Sequence, residues 1–170
     1  HISYYAPSTS DLRYYNGATA TASSPDGPGT VGQFTSIALD ANGKPHISHY
    51  DATNGDLKYY NGATATATTL DSAGDVGQYT SIALDVNGKP HISYYDVSNG
   101  DLKYYNGATA TNSIVDSAGV VGWETSIALD AGGKPHISFY DATNSDLKYA
   151  VNRVAENASL GGIYGHFGGG

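Results

Sequence analysis

Four histidines, His1, His46, His91 and His136, recur at a spacing of 45 residues, each opening a His-Ile-Ser-x-Tyr stretch that runs into Asp in the last three copies. An imidazole titrates near neutrality, so this residue could serve as a general base or a metal ligand. A catalytic base is needed once, whereas a group that shapes a strand or bonds a turn is needed in every copy, so the four are read as structural. His49 departs from the pattern, standing where the other copies have Tyr4, Tyr94 and Phe139.

The aspartates repeat in the same way. Asp51-Ala52-Thr53-Asn54-Gly55-Asp56, Asp96-Val97-Ser98-Asn99-Gly100-Asp101 and Asp141-Ala142-Thr143-Asn144-Ser145-Asp146 set oxygen ligands along a tight loop, and calcium is the cofactor that such loops could hold. A calcium loop also needs a carboxylate further on, where this chain has Leu and Lys. The competing reading has the Asp and Asn side chains bonding their own backbone to shape a turn. In the first copy Ala6 replaces the leading Asp.

Glycoside hydrolysis needs two carboxyl groups set apart by environment. Glutamate occurs only at Glu124 and Glu156, and arginine only at Arg13 and Arg153. That poverty argues for a protein without enzymatic activity. The copies differ most between repeats, where Gln33-Phe34, Gln78-Tyr79 and Trp123-Glu124 occupy equivalent places. Phe34, Tyr79, Trp123 and Glu124 are therefore the candidate ligand contacts, with aromatic faces that can stack on a sugar or anchor a protein partner. Their alternative role is to cover the core between repeats.

These residues need a scaffold, and the repeat supplies it. Residues 46–90 and 91–135 agree at 33 of 45 positions, and a period of 40 to 50 residues signals stacked supersecondary units. Each unit reads as four strands. In TSIALD (80–85), Ile82 and Leu84 alternate with the small Ser81 and Ala83, giving one bulky face and one that a neighbouring sheet can approach closely. The hairpin VNGKP places Asn87-Gly88 where a positive φ is needed, and Pro90 at the start of the next strand.

The second strand, HISYYD (91–96), sets His91, Ser93 and Tyr95 against Ile92, Tyr94 and Asp96 on the opposite face. The third, DLKYY (101–105), leads into Asn106-Gly107, a two-residue hairpin signal, and then into ATATNSIVD (108–116) as the fourth. Paired tyrosines such as Tyr104-Tyr105 put one ring on each face, so both faces are expected to be covered. Units begin near 1, 46, 91 and 136, and the sequence leaves the repeat in a Gly-rich tail over 151–170. The whole of 1–170 reads as one repeat domain.

Composition agrees with this reading. Gly is abundant, charge is sparse, and Tyr, Thr, Ile and Val outnumber helix formers, which predicts an all-β protein. A net charge of −8 opposes a nucleic-acid partner, which would demand clustered Lys and Arg. No apolar run approaches the length of a membrane span, and without cysteine there are no disulfides or thiolate metal sites.

Four antiparallel strands in 45 residues correspond to a β-propeller blade. The strings SIALD, PHISYYD and NGDLKY resemble bacterial extracellular propeller repeats of the sialidase-like, BNR-like group over residues 1 to about 150. The resemblance implies four blades or part of a larger array, at the cell surface or outside the cell. In the repeats it resembles, a Trp or other bulky residue opens the fourth strand, where this chain has Ala63-Thr64-Ala65-Thr66-Ala67. Nor is Ser72 to Tyr79 an Asp-box, because Thr30 and Val120 replace Asp75 in the other copies.

The sequence thus predicts a non-enzymatic propeller scaffold for adhesion, or for binding a glycan or protein. A second reading is a structural subunit that self-associates through open blade edges. The third, a glycosidase-like propeller, lacks the residues for it. The tail holds the N-glycosylation pattern Asn157-Ala158-Ser159, and Ser159-Leu160 aligns with Thr69-Leu70 of a fourth strand.

Overall fold

The structure is a computed structural model that describes residues 1–151 and 165–166. Every element in it is a strand. The first sheet has three strands, β1 (Ile2–Ala6), β2 (Asp11–Asn16) and β3 (Thr21–Asp26), in the order β1-β2-β3. The second runs β4 (Val31–Leu39), β5 (Pro45–Asp51), β6 (Asp56–Asn61), β7 (Thr66–Asp71), and the third β8 (Val76–Leu84), β9 (Pro90–Asp96), β10 (Asp101–Asn106), β11 (Thr111–Asp116). The fourth is β12 (Val121–Leu129), β13 (Pro135–Asp141), β14 (Asp146–Val151) and the short β15 (Gly165–His166). All pairs are antiparallel meanders.

The strands differ from the sequence expectation at both ends of a unit. The first strand starts four residues early, at Val76, because VGQYT pairs with β9 through two register breaks. The fourth starts three residues late, at Thr111, because Gly107 to Ala110 form a turn. Asn106-Gly107 is therefore not a two-residue hairpin. The positive φ falls on Ala110 (54°), as it does on Ala20 and Ala65. Gly107 is required for another reason: a Cβ there would lie 2.3 Å from the carbonyl oxygen of Pro90, which accepts the Gly107 N–H at 2.8 Å. The Ala/Thr run is spent on this exposed turn, where Thr64 and Thr66 hydroxyls bond each other at 2.7 Å.

Three hydrophobic cores form between successive sheets rather than inside any one sheet. Leu12 and Tyr14 meet Ile47, Leu57 and Tyr59 meet Val76, Ile92 and Tyr94, and Leu102 and Tyr104 meet Val121, Ile137 and Phe139. The strands β4, β8 and β12 lie side by side, and each also packs on the sheet before it. Small residues permit that approach. A Cβ on Gly77 would come 2.7 Å from Leu57 Cα, and the Ile82 and Ile127 N–H groups reach Ser36 and Ser81 Oγ of the preceding inner strand at 3.2 Å. The small face read in SIALD is thus the seam between inner strands. Among the described residues, no comparable contact joins the fourth sheet back to the first, so the stack is not closed into a ring.

Candidate functional site

Each strand pair has a hairpin end and a bulge end, and the histidines lie at the hairpin end. There Asp85 accepts the Asn87 and Lys89 N–H groups at 2.9 and 2.8 Å and turns its other oxygen toward His91 Nε2 at 3.9 Å. His91 Nδ1 bonds the Tyr104 hydroxyl. Asp40, His46 and Tyr59 repeat the arrangement, as do Asp130, His136 and Tyr149, and His1 bonds Tyr14 at 2.5 Å. Burial pushes the His46 and His91 imidazoles below their ordinary value against the pull of the nearby carboxylates. Burial also drives the Tyr104 hydroxyl up to about 12. In three copies a histidine fixed between a carboxylate and a tyrosine of its own unit closes a hairpin. A cleft of about 440 Å³ opens beside it, between Asp40, His46, Asn61, Lys89 and Tyr105.

A second polar set lies between the sheets. Lys58, Lys103 and Lys148 extend to the aspartate that ends the preceding sheet, with Lys103 Nζ 2.6 Å from Asp71 Oδ2 and Lys148 Nζ 2.6 Å from Asp116 Oδ2. Lys58 lies 2.5 Å from Asp26, which also faces His49 Nε2 at 3.1 Å. In the next interface Tyr94 donates to Asp71 at 2.7 Å from the place of His49, and in the last Phe139 makes no such bond. Burial alone would raise the Asp71 carboxyl, but hydrogen bonds from Lys103, Tyr94 and the Ala73 N–H outweigh it and hold the group below its ordinary value.

The loop aspartates divide into two kinds. Asp51, Asp96 and Asp141 shape their turns: Asp51 accepts the Thr53 and Asn54 N–H groups at 3.0 and 3.2 Å and the Asn54 amide at 2.9 Å. Asp96 and Asp141 hold Asn99 and Asn144 in the same manner. Asp56, Asp101 and Asp146 stand opposite them in the strand register. Burial, and then the charge of neighbouring aspartates, raises the Asp56 and Asp101 carboxyls. Among the described residues no three His, Asp or Glu side chains are gathered in the manner of a metal site.

The bulge end is built differently. Two residues of each inner strand oppose one of its partner: Phe34 and Thr35 face His49, and Tyr79 and Thr80 face Tyr94. Such a bulge bends the strand and re-aims a side chain. In every copy the residue at its apex lies in the left-handed region, with φ of 50° at Phe34, 52° at Tyr79 and 48° at Glu124. Bulky side chains rarely adopt that conformation, which costs about 1–2 kcal/mol. Phe34 and Tyr79 ring centroids are 4.7 Å apart, and Tyr79 stacks on Trp123 at 6.1 Å. Tyr50, Tyr95 and Tyr140 of the second strands extend the group, at 6.1 Å from Phe34, 6.1 Å from Trp123 and 6.3 Å from Trp123 respectively. One aromatic row therefore crosses three sheets. Phe34 keeps 39% of its surface open, Glu124 is exposed, and Trp123 Nε1 is buried without an acceptor.

In the comparisons with known proteins, no family model matches the chain, and no curated protein does. Its fold is similar to the crystal structure of an auxiliary nutrient binding protein from Bacteroides thetaiotaomicron VPI-5482, with a TM-score of 0.56 and 12% sequence identity. The fold is a propeller-like repeat. The likeness covers 94% of this chain but 38% of that one, so this chain spans well under half the length of its neighbour. At that identity the shared property is the fold.

Of the residues singled out from sequence, the structure brings Phe34, Tyr79 and Trp123 together and places Glu124 in the same bulge as Trp123. The six loop aspartates stay apart, two to a turn. Tyr50, Tyr95 and Tyr140 were missed, although each directly precedes the Asp of its copy. Glu156, Arg153, Asn157-Ala158-Ser159 and Ser159-Leu160 lie outside the described residues. The strand position opposite Lys148 is taken by His166.

Proposed function

We infer that the protein is a non-enzymatic binding scaffold of the propeller type, in the sialidase-like, BNR-like manner, acting at the cell surface or outside the cell. Its ligand is a glycan held on the aromatic row of Phe34, Tyr79 and Trp123. One observation carries this reading. All three inner strands keep a non-glycine residue strained at the apex of a bulge, and in two of them that residue is an aromatic ring set into a shared row. Strain of this kind is retained where the position it gives a side chain is used.

The chemistry fits a sugar, whose apolar faces stack on rings while Gln33, Gln78 and Glu124 supply polar groups from the same bulges. A fold shared with a nutrient binding protein supports the same class of role. Trp123 is the sole tryptophan, so its fluorescence reports the site directly. Titrating a panel of soluble oligosaccharides should change that emission saturably for at least one of them. Tyr79→Ala should weaken binding about 30-fold or more, the effect of losing a central aromatic anchor. Release of reducing ends from any bound oligosaccharide would contradict the non-enzymatic reading, and a flat response across the panel would leave a protein as the partner.

A further inference from the structure

Charge is divided unequally between the two ends of the strands. At the hairpin end each turn carries one carboxylate and one ammonium, Asp40 with Lys44, Asp85 with Lys89 and Asp130 with Lys134, so that end is neutral. Arg153 and Glu156 cancel in the tail, and the net charge of −8 therefore falls on the rest of the sheets. The strand registers place it at the bulge end. Asp51 pairs with Val31 and with Asp56, and Leu57 pairs with Asp71, so the loop aspartates and the aspartates that end β3, β7 and β11 gather beside the bulges. Lys58, Lys103 and Lys148 are taken up by Asp26, Asp71 and Asp116, and Arg13 bonds Ser24 at 2.7 Å. Among the described residues no lysine or arginine pairs with Asp75 or Glu124. Burial, and then the charge of neighbouring aspartates, already pushes up the Asp56 and Asp101 carboxyls.

Asp75 and Glu124 border the aromatic row. Tyr50, whose ring lies 6.1 Å from Phe34, donates its hydroxyl to Asp75 Oδ1 at 2.7 Å, and Glu124 shares the bulge of Trp123. Both stand where the copies differ, Asp75 against Thr30 and Val120, and Glu124 against Phe34 and Tyr79. The spaces between sheets show what rings and carboxylates hold together. Lys103 Nζ bonds Asp71 at 2.6 Å while lying 5.7 Å from the centre of the Tyr94 ring, and Lys148 repeats this with Asp116 and with Phe139 at 5.8 Å. On the row the rings and carboxylates are present, and among the described residues no cation of the chain joins them. We propose that the glycan held there is cationic, an oligomer of amino sugars whose free ammonium groups meet Asp75, Glu124 and the faces of the rings. The inference rests on reading the row as a glycan site. An ammonium is drawn to a ring face by the ring quadrupole, and a carboxylate beside the ring replaces its lost hydration. The loop aspartates act over about 8 Å at physiological ionic strength, so they steer such a ligand toward the row and repel uronic and sialic acids.

The test uses the full chain and two hexamers of β-1,4-linked glucosamine, one with free amines and one fully N-acetylated, titrated against Trp123 emission at a pH that keeps the amines protonated. The free-amine hexamer should bind about tenfold tighter or more, and should lose that preference as salt is raised. Glu124→Gln and Asp75→Asn should each narrow the preference by about threefold. Lys89→Glu makes the hairpin end negative and should leave the preference unchanged. Equal or tighter binding of the N-acetylated hexamer would overturn the proposal and leave the row a glycan site. A preference that survives high salt, or that Lys89→Glu alters as much as Glu124→Gln does, would overturn it as well. Hexalysine bound as tightly as the free-amine hexamer, with no loss in Tyr79→Ala, would replace it with a basic peptide on the acidic loops and would remove the glycan reading too.

Discussion

The hairpin end and the bulge end of the same strands obey different rules. At the hairpin end Asp40-His46-Tyr59, Asp85-His91-Tyr104 and Asp130-His136-Tyr149 are the same construction three times, and each histidine Nδ1 is occupied within the fold. At the bulge end the backbone repeats while the side chains change from Gln33-Phe34 to Gln78-Tyr79 to Trp123-Glu124. A cleft of about 440 Å³ lies at the hairpin end, where Asp40 and Asn61 accept turn N–H groups and His46 bonds Tyr59. The difference teaches where recurrence and variation separate: the polar groups that recur at the hairpin end bond within their own unit, whereas at the bulge end a left-handed backbone recurs beneath side chains that change.

The comparison can be broken first at the ion pairs between sheets. Lys103→Ala leaves Asp71 buried with its charge unpaired, and should lower the unfolding free energy by about 3–5 kcal/mol in urea titrations. Oligosaccharide affinity measured below the transition should remain. At the hairpin end, Tyr104→Phe removes the partner of His91 Nδ1 and should cost about 1–3 kcal/mol, again without loss of affinity. An equal loss of binding in either variant would erase the distinction between the two ends.

A smaller effect is expected from pH. The folded-state values of His46, His49 and His91 are lowered by burial from an ordinary 6.5, so the unfolded chain takes up protons first as pH falls. Stability is then full above about 6.5 and is lost as pH falls below it toward the folded values, because the unfolded state binds more protons there. His49→Tyr copies the Tyr94 arrangement at the second interface and should flatten this slope, as thermal melts between pH 7 and 5 would show. The smallest change in stability belongs to the bulges. Phe34→Gly loses packing but relieves a φ of 50°, and should shift the unfolding free energy by no more than about 1 kcal/mol.

Most of the scaffold was legible because its signals are local. SIALD alternates bulky and small residues, Gly88 takes the positive φ of its hairpin at 73°, and the 45-residue period orders the four sheets. The bulges were not legible: VGQYT breaks period-two alternation and carries a glycine, so it reads as a loop, and its pairing with β9 is settled by contacts distant in sequence. Gly107 misled for a related reason, since close approach to Pro90 and a positive φ write the same residue. The ion pairs did leave a trace. A lysine in the middle of DLKYY, in a strand covered on both faces, must find a buried carboxylate, and Asp26, Asp71 and Asp116 recur at the same period. The row formed by Phe34, Tyr79 and Trp123 was visible as a set of varying aromatics, but its continuity through Tyr50, Tyr95 and Tyr140 depends on how adjacent sheets stack.

The most direct test of the central claim is hydrogen exchange on the full chain with and without the tightest oligosaccharide of the panel. The account predicts slowed exchange across the bulges, at residues 32–36, 77–81 and 122–126, with the hairpins at 40–44, 85–89 and 130–134 unchanged. Protection of the hairpins with the bulges unaffected would contradict it, and would move the binding site to the cleft beside His46.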